Sequence, residues 1–114
     1  MKTVFVAGQY SAPDIMGVLA NIRIGIMECI KIVKIGHAPF CPWFDHLYAH
    51  YFEMSKEKYQ QISIAWLKKS DAVYMIPGWA ESKGAQRERA IAQQHSIPIF
   101  YDVDSIAEHF EDNG

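Results

Sequence analysis

Ala72-Val73-Tyr74-Met75-Ile76-Pro77-Gly78-Trp79-Ala80-Glu81-Ser82-Lys83-Gly84-Ala85-Gln86-Arg87-Glu88 holds a strand, a turn and a helix start in one unbroken run. Residues 72–76 are apolar throughout, as in a strand covered on both faces. Pro77 and Gly78 punctuate it. Ser82 stands where an N-cap would, and a helical pattern runs from there to near His95. With Ser82 as cap, Ala85, Glu88, Ile91 and Ala92 fall on one stripe. The apolar members require that stripe to face a sheet. Glu88 is therefore a carboxylate aimed inward, about a turn and a half from a helix N-terminus. A buried, unpaired carboxylate costs several kcal/mol. Glu88 thus has either a structural partner, such as Arg23 or Arg87, or a chemical use.

Outward from this stretch, strands and helices alternate. Residues 3–7 form a β-branched and aromatic strand stopped by Gly8, and residues 18–34 a helix with Leu19, Ile22, Ile26, Cys29, Ile30 and Val33 at helical spacing. Residues 37–41 read as a short strand interrupted by Pro39. An aromatic-rich connection covers 43–52, and residues 53–69 read as a helix with Tyr59, Ile62, Trp66 and Lys69 on one side. A fourth strand is expected at 97–101 and a last helix at 104–110, capped by Asp104 or Asp102, with 111–114 fraying.

This alternation predicts a single α/β domain over residues 1–114, a flavodoxin-like or Rossmann-like three-layer sandwich. The economical order of its four parallel strands is 2-1-3-4. The switch point then lies between the first and third strands, and ligands in such sheets bind beyond the carboxyl ends there. The segments meeting at that point are Gly8-Gln9-Tyr10-Ser11 and the turn from Pro77 to Glu88. Topology and the inward carboxylate indicate the same crevice.

Composition narrows the partners. The 114 residues are 50% hydrophobic and 21% charged, with a net charge of −2. That is globular composition with no bulk attraction for nucleic acid polymers or anionic membranes. Cys29 and Cys41 are too few for a disulfide framework, so a reducing cytoplasm is the default setting. No apolar run approaches the ~18 residues of a membrane span. His37, Cys41, Asp45, His46 and His50 lie near one another in sequence, but their spacing is not that of a metal site. Without Gly-x-Gly-x-x-Gly after the first strand there is no dinucleotide signature either. Neither metal nor cofactor is expected. Phe40, Trp43, Phe44, Tyr48, Tyr51 and Phe52 exceed what one small core needs, as a lid or a subunit interface would.

Four segments carry a family resemblance: Gly8-Gln9-Tyr10-Ser11 after the opening strand, Gly36-His37-Ala38-Pro39-Phe40, Ser70-Asp71-Ala72-Val73, and Pro77-Gly78-Trp79 through Glu88, with a serine six residues ahead of the glutamate. In these the chain resembles the nucleoside 2-deoxyribosyltransferase-like superfamily, which includes nucleoside 5'-monophosphate N-glycosidases, and within it a branch of short bacterial and phage proteins. The resemblance implies that Glu88 is a nucleophile attacking an anomeric carbon and that Ser82 contacts sugar or phosphate. With the topology and the helix start it places Gly8, Gln9, Tyr10, Ser11, Asp71, Gly78, Trp79 and Gly84 around the substrate; read alone, Asp71 before its strand caps backbone or fixes a turn, and Tyr10 and Trp79 equally suit loop packing. It also implies a homo-oligomer, dimer or larger, because neighbouring subunits commonly complete such pockets. One departure stands out. Family members usually carry an aspartate eight residues before the position of Asp71, and here that residue is Ser63.

The chemistry of the residues is compatible with that implication. Cleaving an N-glycosidic bond builds positive charge on the sugar, which a carboxylate can stabilise or capture. The N–H groups opening the helix after Ser82 favour a phosphate, and Tyr10, Phe40, Trp43 and Trp79 offer rings for a base. Two readings therefore stand: an N-glycosidase or deoxyribosyltransferase, and a non-catalytic nucleotide sensor or sequestering protein that lost the carboxyl at position 63.

Overall fold

A computed structural model of the chain describes residues 1–113. The strands are β1 (Thr3–Ala7), β2 (Ala38–Phe40), β3 (Ala72–Met75) and β4 (Ile99–Phe100). The helices are α1 (Ile15–Lys34), α2 (Lys56–Leu67), α3 (Lys83–Gln94) and α4 (Val103–Asn113), with 3-10 turns over Pro42–His50 and Trp79–Glu81. Every strand pairing is parallel and the order is β2-β1-β3-β4, the order expected from the alternation.

Side-chain alternation divides the core between two faces. Val4, Val6, Ala72, Tyr74 and Ile76 pack with Cys29 and Ile32 of α1, Trp43 of the first 3-10 turn, and Ile106 and Phe110 of α4. Phe5, Ala7, Val73 and Met75 pack on the other face with Leu67 of α2 and with Ala85 and Ala92 of α3. Right-handed crossovers require this division of helices. Val4, Phe5, Val6 and Val73 are wholly buried, and each such side chain contributes about 1.5–3 kcal/mol of transfer free energy. That is why β1 and β3, flanked on both sides, form the rigid centre that carries the crevice.

The edges and helix ends depart from expectation. α1 begins at Ile15 because Asp14 caps it, accepting a 2.8 Å hydrogen bond from the Gly17 N–H. Its buried side is Gly25, Glu28, Cys29 and Ile32, whereas Leu19, Ile30 and Val33 face outward. β2 and β4 are shorter than their apolar runs, since an edge strand pairs on one side only. The aromatic connection is wound as the 3-10 turn Pro42–His50, and α2 starts only after its cap, Ser55. Asp102, not Asp104, closes the start of α4 by accepting from the Ser105 N–H at 2.7 Å. α4 continues to Asn113 rather than fraying at 111, and residue 114 lies outside the described residues.

Candidate functional site

The loops after β1 and β3 touch. Gly8 passes so close to β3's extension that a Cβ there would lie 2.4 Å from Ile76 Cγ1. Gly78 has φ +90°, and a Cβ on it would meet Gln9 Oε1 at 3.1 Å. Glycine serves both the left-handed turn and the close approach. Gln9 is held from behind, its carbonyl accepting from Trp43 Nε1 at 2.8 Å. Asn21 Nδ2 donates to the carbonyls of Tyr10 (3.0 Å) and Ser11 (3.3 Å), pinning the rest of the loop to α1. The Tyr10 hydroxyl and His46 Nδ1 share a 2.8 Å hydrogen bond, which ties this loop to the Pro42–His50 turn. Burial raises the Tyr10 pKa, with Tyr59 and Asp45 adding to the effect.

From Gly78 the Trp79–Glu81 turn leads into α3. Ser82 caps that helix as expected, accepting from the Ala85 N–H at 3.1 Å. The Gln86 side chain donates back to the Ala80 carbonyl, closing the turn. At Gly84 an added Cβ would touch only Ser82 Oγ, at 3.8 Å, so the space beside the helix start is open. Free N–H groups, a hydroxyl and open space make this a place for an anion.

Glu88 lies one helical turn further in, between the buried Ala85 and Ala92 that face the sheet. It is half-buried and forms no hydrogen bond or ion pair among the described residues; the ion pair present joins Lys31 to Glu28. Among the described residues no side-chain oxygen or nitrogen is both sealed from solvent and unbonded, so the Glu88 carboxyl keeps an opening. Arg23 lies on α1, across the sheet, and Arg87 acts only as a nearby charge. Burial dominates and pushes the Glu88 pKa up to about 8, against a smaller downward pull from Arg87.

Not every expected residue comes to this crevice. Asp71 sits at the opposite, amino end of β3, accepting from the Thr3 N–H at 2.8 Å and from the Thr3 hydroxyl at 3.2 Å. The Thr3 N–H bond, more than any charge, holds its carboxyl below the usual range. The rings offered for base stacking are mostly engaged. Trp43 is buried, and Phe40 stacks between Phe5 and Trp66 at centroid distances of 5.4 and 5.3 Å. Trp79 lies under the Arg89 guanidinium at 5.2 Å, and Arg89 Nε also donates to the Tyr101 hydroxyl at 2.7 Å. Tyr10 keeps an exposed ring. Ser63 is buried in α2 on the sheet face that α3 also covers. It lies about two turns into its helix, and Glu88 about a turn and a half into α3.

Asn21, Trp43 and His46 are the residues that sequence reasoning missed as supports of the site. A polar Asn21 on a helix otherwise rich in Ile and Met was a visible signal. The partners of Trp43 and His46 were not, because each joins positions more than thirty residues apart. Two open depressions of about 600 Å³ each flank the Pro42–His50 turn, one bounded by Phe40, Phe44 and Tyr48 and the other by Phe52, Met54 and Tyr59. Glu88 lines neither of them. Among the described residues no group of His, Cys, Asp and Glu is placed to hold a metal ion, and no helix is long and apolar enough to cross a membrane.

Comparison with curated proteins gives no match to this chain. A family model does match it over residues 28–101, from the middle of α1 past β4, so that Ser82 and Glu88 lie inside the match and the loop after β1 outside it. By that match, which covers more than half of its length, the chain belongs to the family described as Domain of unknown function (DUF4406).

Proposed function

We propose that this protein cleaves or transfers at the N-glycosidic bond of a nucleoside or nucleoside 5'-monophosphate, with Glu88 as nucleophile. The observation that carries the reading is Glu88 itself, an inward carboxyl with no structural partner beside an open, capped helix start. A structural glutamate in that position would be expected to hold an arginine or a backbone N–H. The likeness of the Pro77–Gly78 to Glu88 stretch to the nucleoside 2-deoxyribosyltransferase-like superfamily supports the same reading.

In the reaction the ionised Glu88 oxygen bonds to the anomeric carbon as the carbon–nitrogen bond breaks and its electron pair leaves with the base. Water supplies the proton that the departing base takes up. A water molecule or a second base then displaces the carboxylate from the sugar. Ser82 and the N–H groups at the start of α3 hold the sugar or 5'-phosphate, with Gln9 and Tyr10 as the opposing wall. A carboxyl with a pKa of about 8 is only about a tenth ionised at pH 7. Base release should therefore rise with pH up to about 8, the sign for a nucleophile and the reverse of that for a general acid. On this reading the partners are small nucleosides or nucleotides, and the two free buried cysteines fit a reducing cytoplasm.

The test is free-base release from a panel of nucleosides and monophosphates by wild type and Glu88→Gln. Release by wild type, lost in the variant while ligand binding persists, is the expected result. A second reading, a nucleotide-binding sensor, is favoured by Ser63, a hydroxyl at the sequence position where the resembled enzymes carry a carboxyl. Binding without base release from any substrate, by wild type and by Ser63→Asp alike, would replace the first reading with the second.

A further inference from the structure

α1 is covered on one side by the sheet, and its opposite side carries a second apolar pattern. Met16, Leu19, Arg23, Ile26, Ile30 and Val33 are spaced alternately three and four residues apart. That is the a/d repeat of a helix–helix seam. Met16, Leu19, Ile30 and Val33, with Met27 on the flank, are each between 38% and 71% exposed. Ile26 joins the seam to the core beneath it. Surface helices of monomers keep one apolar stripe, and contiguous exposed apolar patches seldom exceed a few hundred Å².

We infer that this face of α1 is a docking surface for α1 of a second copy of the chain, packed antiparallel about a twofold axis. The area is suitable. Half-exposed Ile, Leu, Met and Val side chains along a helix about 30 Å long supply several hundred Å², near the ~800 Å² per partner of a standard interface once flanking residues are added. The charges choose the orientation. Asp14 caps one end of α1, and Lys31 and Lys34 occupy its last turn. Antiparallel packing sets Asp14 beside the partner copy's lysines and opposes the helix dipoles, whereas parallel packing would set like ends together. Arg23 is the one charge at an a position. Its stem covers the seam while its guanidinium reaches the rim, which fixes the register at some cost in affinity.

Light scattering on the full chain at micromolar concentration tests the inference. Wild type is expected to be a dimer, and Leu19→Asp combined with Ile30→Asp a monomer with an unchanged far-UV circular dichroism spectrum, since both positions are exposed. Arg23→Leu is expected to tighten the dimer about tenfold or more by removing a charge from the seam. Lys34→Glu is expected to weaken it at low salt and less so at high salt; in a parallel pair it would merely exchange one like-charge contact for another. A monomeric wild type overturns the inference, including one whose α1 face instead binds anionic lipid vesicles. So does a dimer that survives the double substitution and dissociates only when Phe44 and Tyr51, on the Pro42–His50 turn and its end, are changed to serine.

Discussion

Gly25 and Trp43 lie in direct apposition: a Cβ on Gly25 would sit 2.2 Å from indole Cδ2 and 2.4 Å from Cε2. The indole in turn donates to the Gln9 carbonyl, and Gln9 reaches Gly78 on the opposite loop. A glycine in the middle of a helix thus sets the position of the crevice wall.

Gly25→Ala is expected to destabilise the fold by about 1–3 kcal/mol. The helix would gain up to ~1 kcal/mol in propensity, but the methyl group would displace a buried indole ring. Urea denaturation measures the balance. Ligand affinity should fall as well, because moving Trp43 frees Gln9; a variant as stable as wild type would show that the ring can shift without cost.

Glu88→Gln should change the pH dependence of stability. The carboxyl holds its proton up to about pH 8 in the fold, against an ordinary value of 4.5. Below the ordinary value both states are protonated and nothing is lost. As pH rises toward about 8 the unfolded chain releases a proton that the folded chain retains, so wild type loses stability. The glutamine variant should match wild type near pH 4.5 and exceed it by a few kcal/mol above pH 8. Denaturation curves at these two pH values measure the difference, and a variant less stable at both would mean that Glu88 is ionised and supported in the fold.

Asp71→Ala removes the bond to the Thr3 N–H and should cost about 1–2 kcal/mol. A lowered carboxyl pKa contributes its stability above the ordinary range and loses it as pH falls, so the cost should shrink toward acid. Calorimetric ligand affinity should not change, because Asp71 lies a strand's length from the crevice. A loss of affinity at unchanged stability would place Asp71 in the site after all.

Ser82→Ala should lower stability by about 1 kcal/mol through loss of the cap. If the helix start receives a 5'-phosphate, the variant should lose more affinity for nucleoside monophosphates than for nucleosides, and the gap should narrow with salt. Equal losses for both ligand classes, measured by calorimetry, would exclude a phosphate at Ser82.

Strand order was legible because alternation and crossover handedness leave few choices, and Ser82 as cap placed Glu88 correctly on the sheet-facing stripe of α3. The limits of β2 and β4 were not, because edge pairing ends where a neighbour ends rather than where an apolar run does. α1 shows a second limit. Its residues are apolar around most of the helix, so periodicity could not say which side meets the sheet; Gly25 and Glu28 settle it through contacts with Trp43 and Tyr74. The Tyr74 hydroxyl donates to Glu28 at 2.6 Å, a pairing across forty-six positions that local spacing cannot announce. The partners of Trp79 and Phe40 were hidden for the same reason.

The short outer strands have a consequence for how copies of this chain meet. β2 spans Ala38–Phe40 with Pro39, which has no N–H, at its centre, and β4 spans only Ile99–Phe100. Neither edge offers a row of backbone donors and acceptors long enough to template another strand. Sheet extension from one molecule to the next, the route to fibrils, is closed at both borders. A crowded solution of this protein should therefore resist cross-β growth while its native helices remain free to associate.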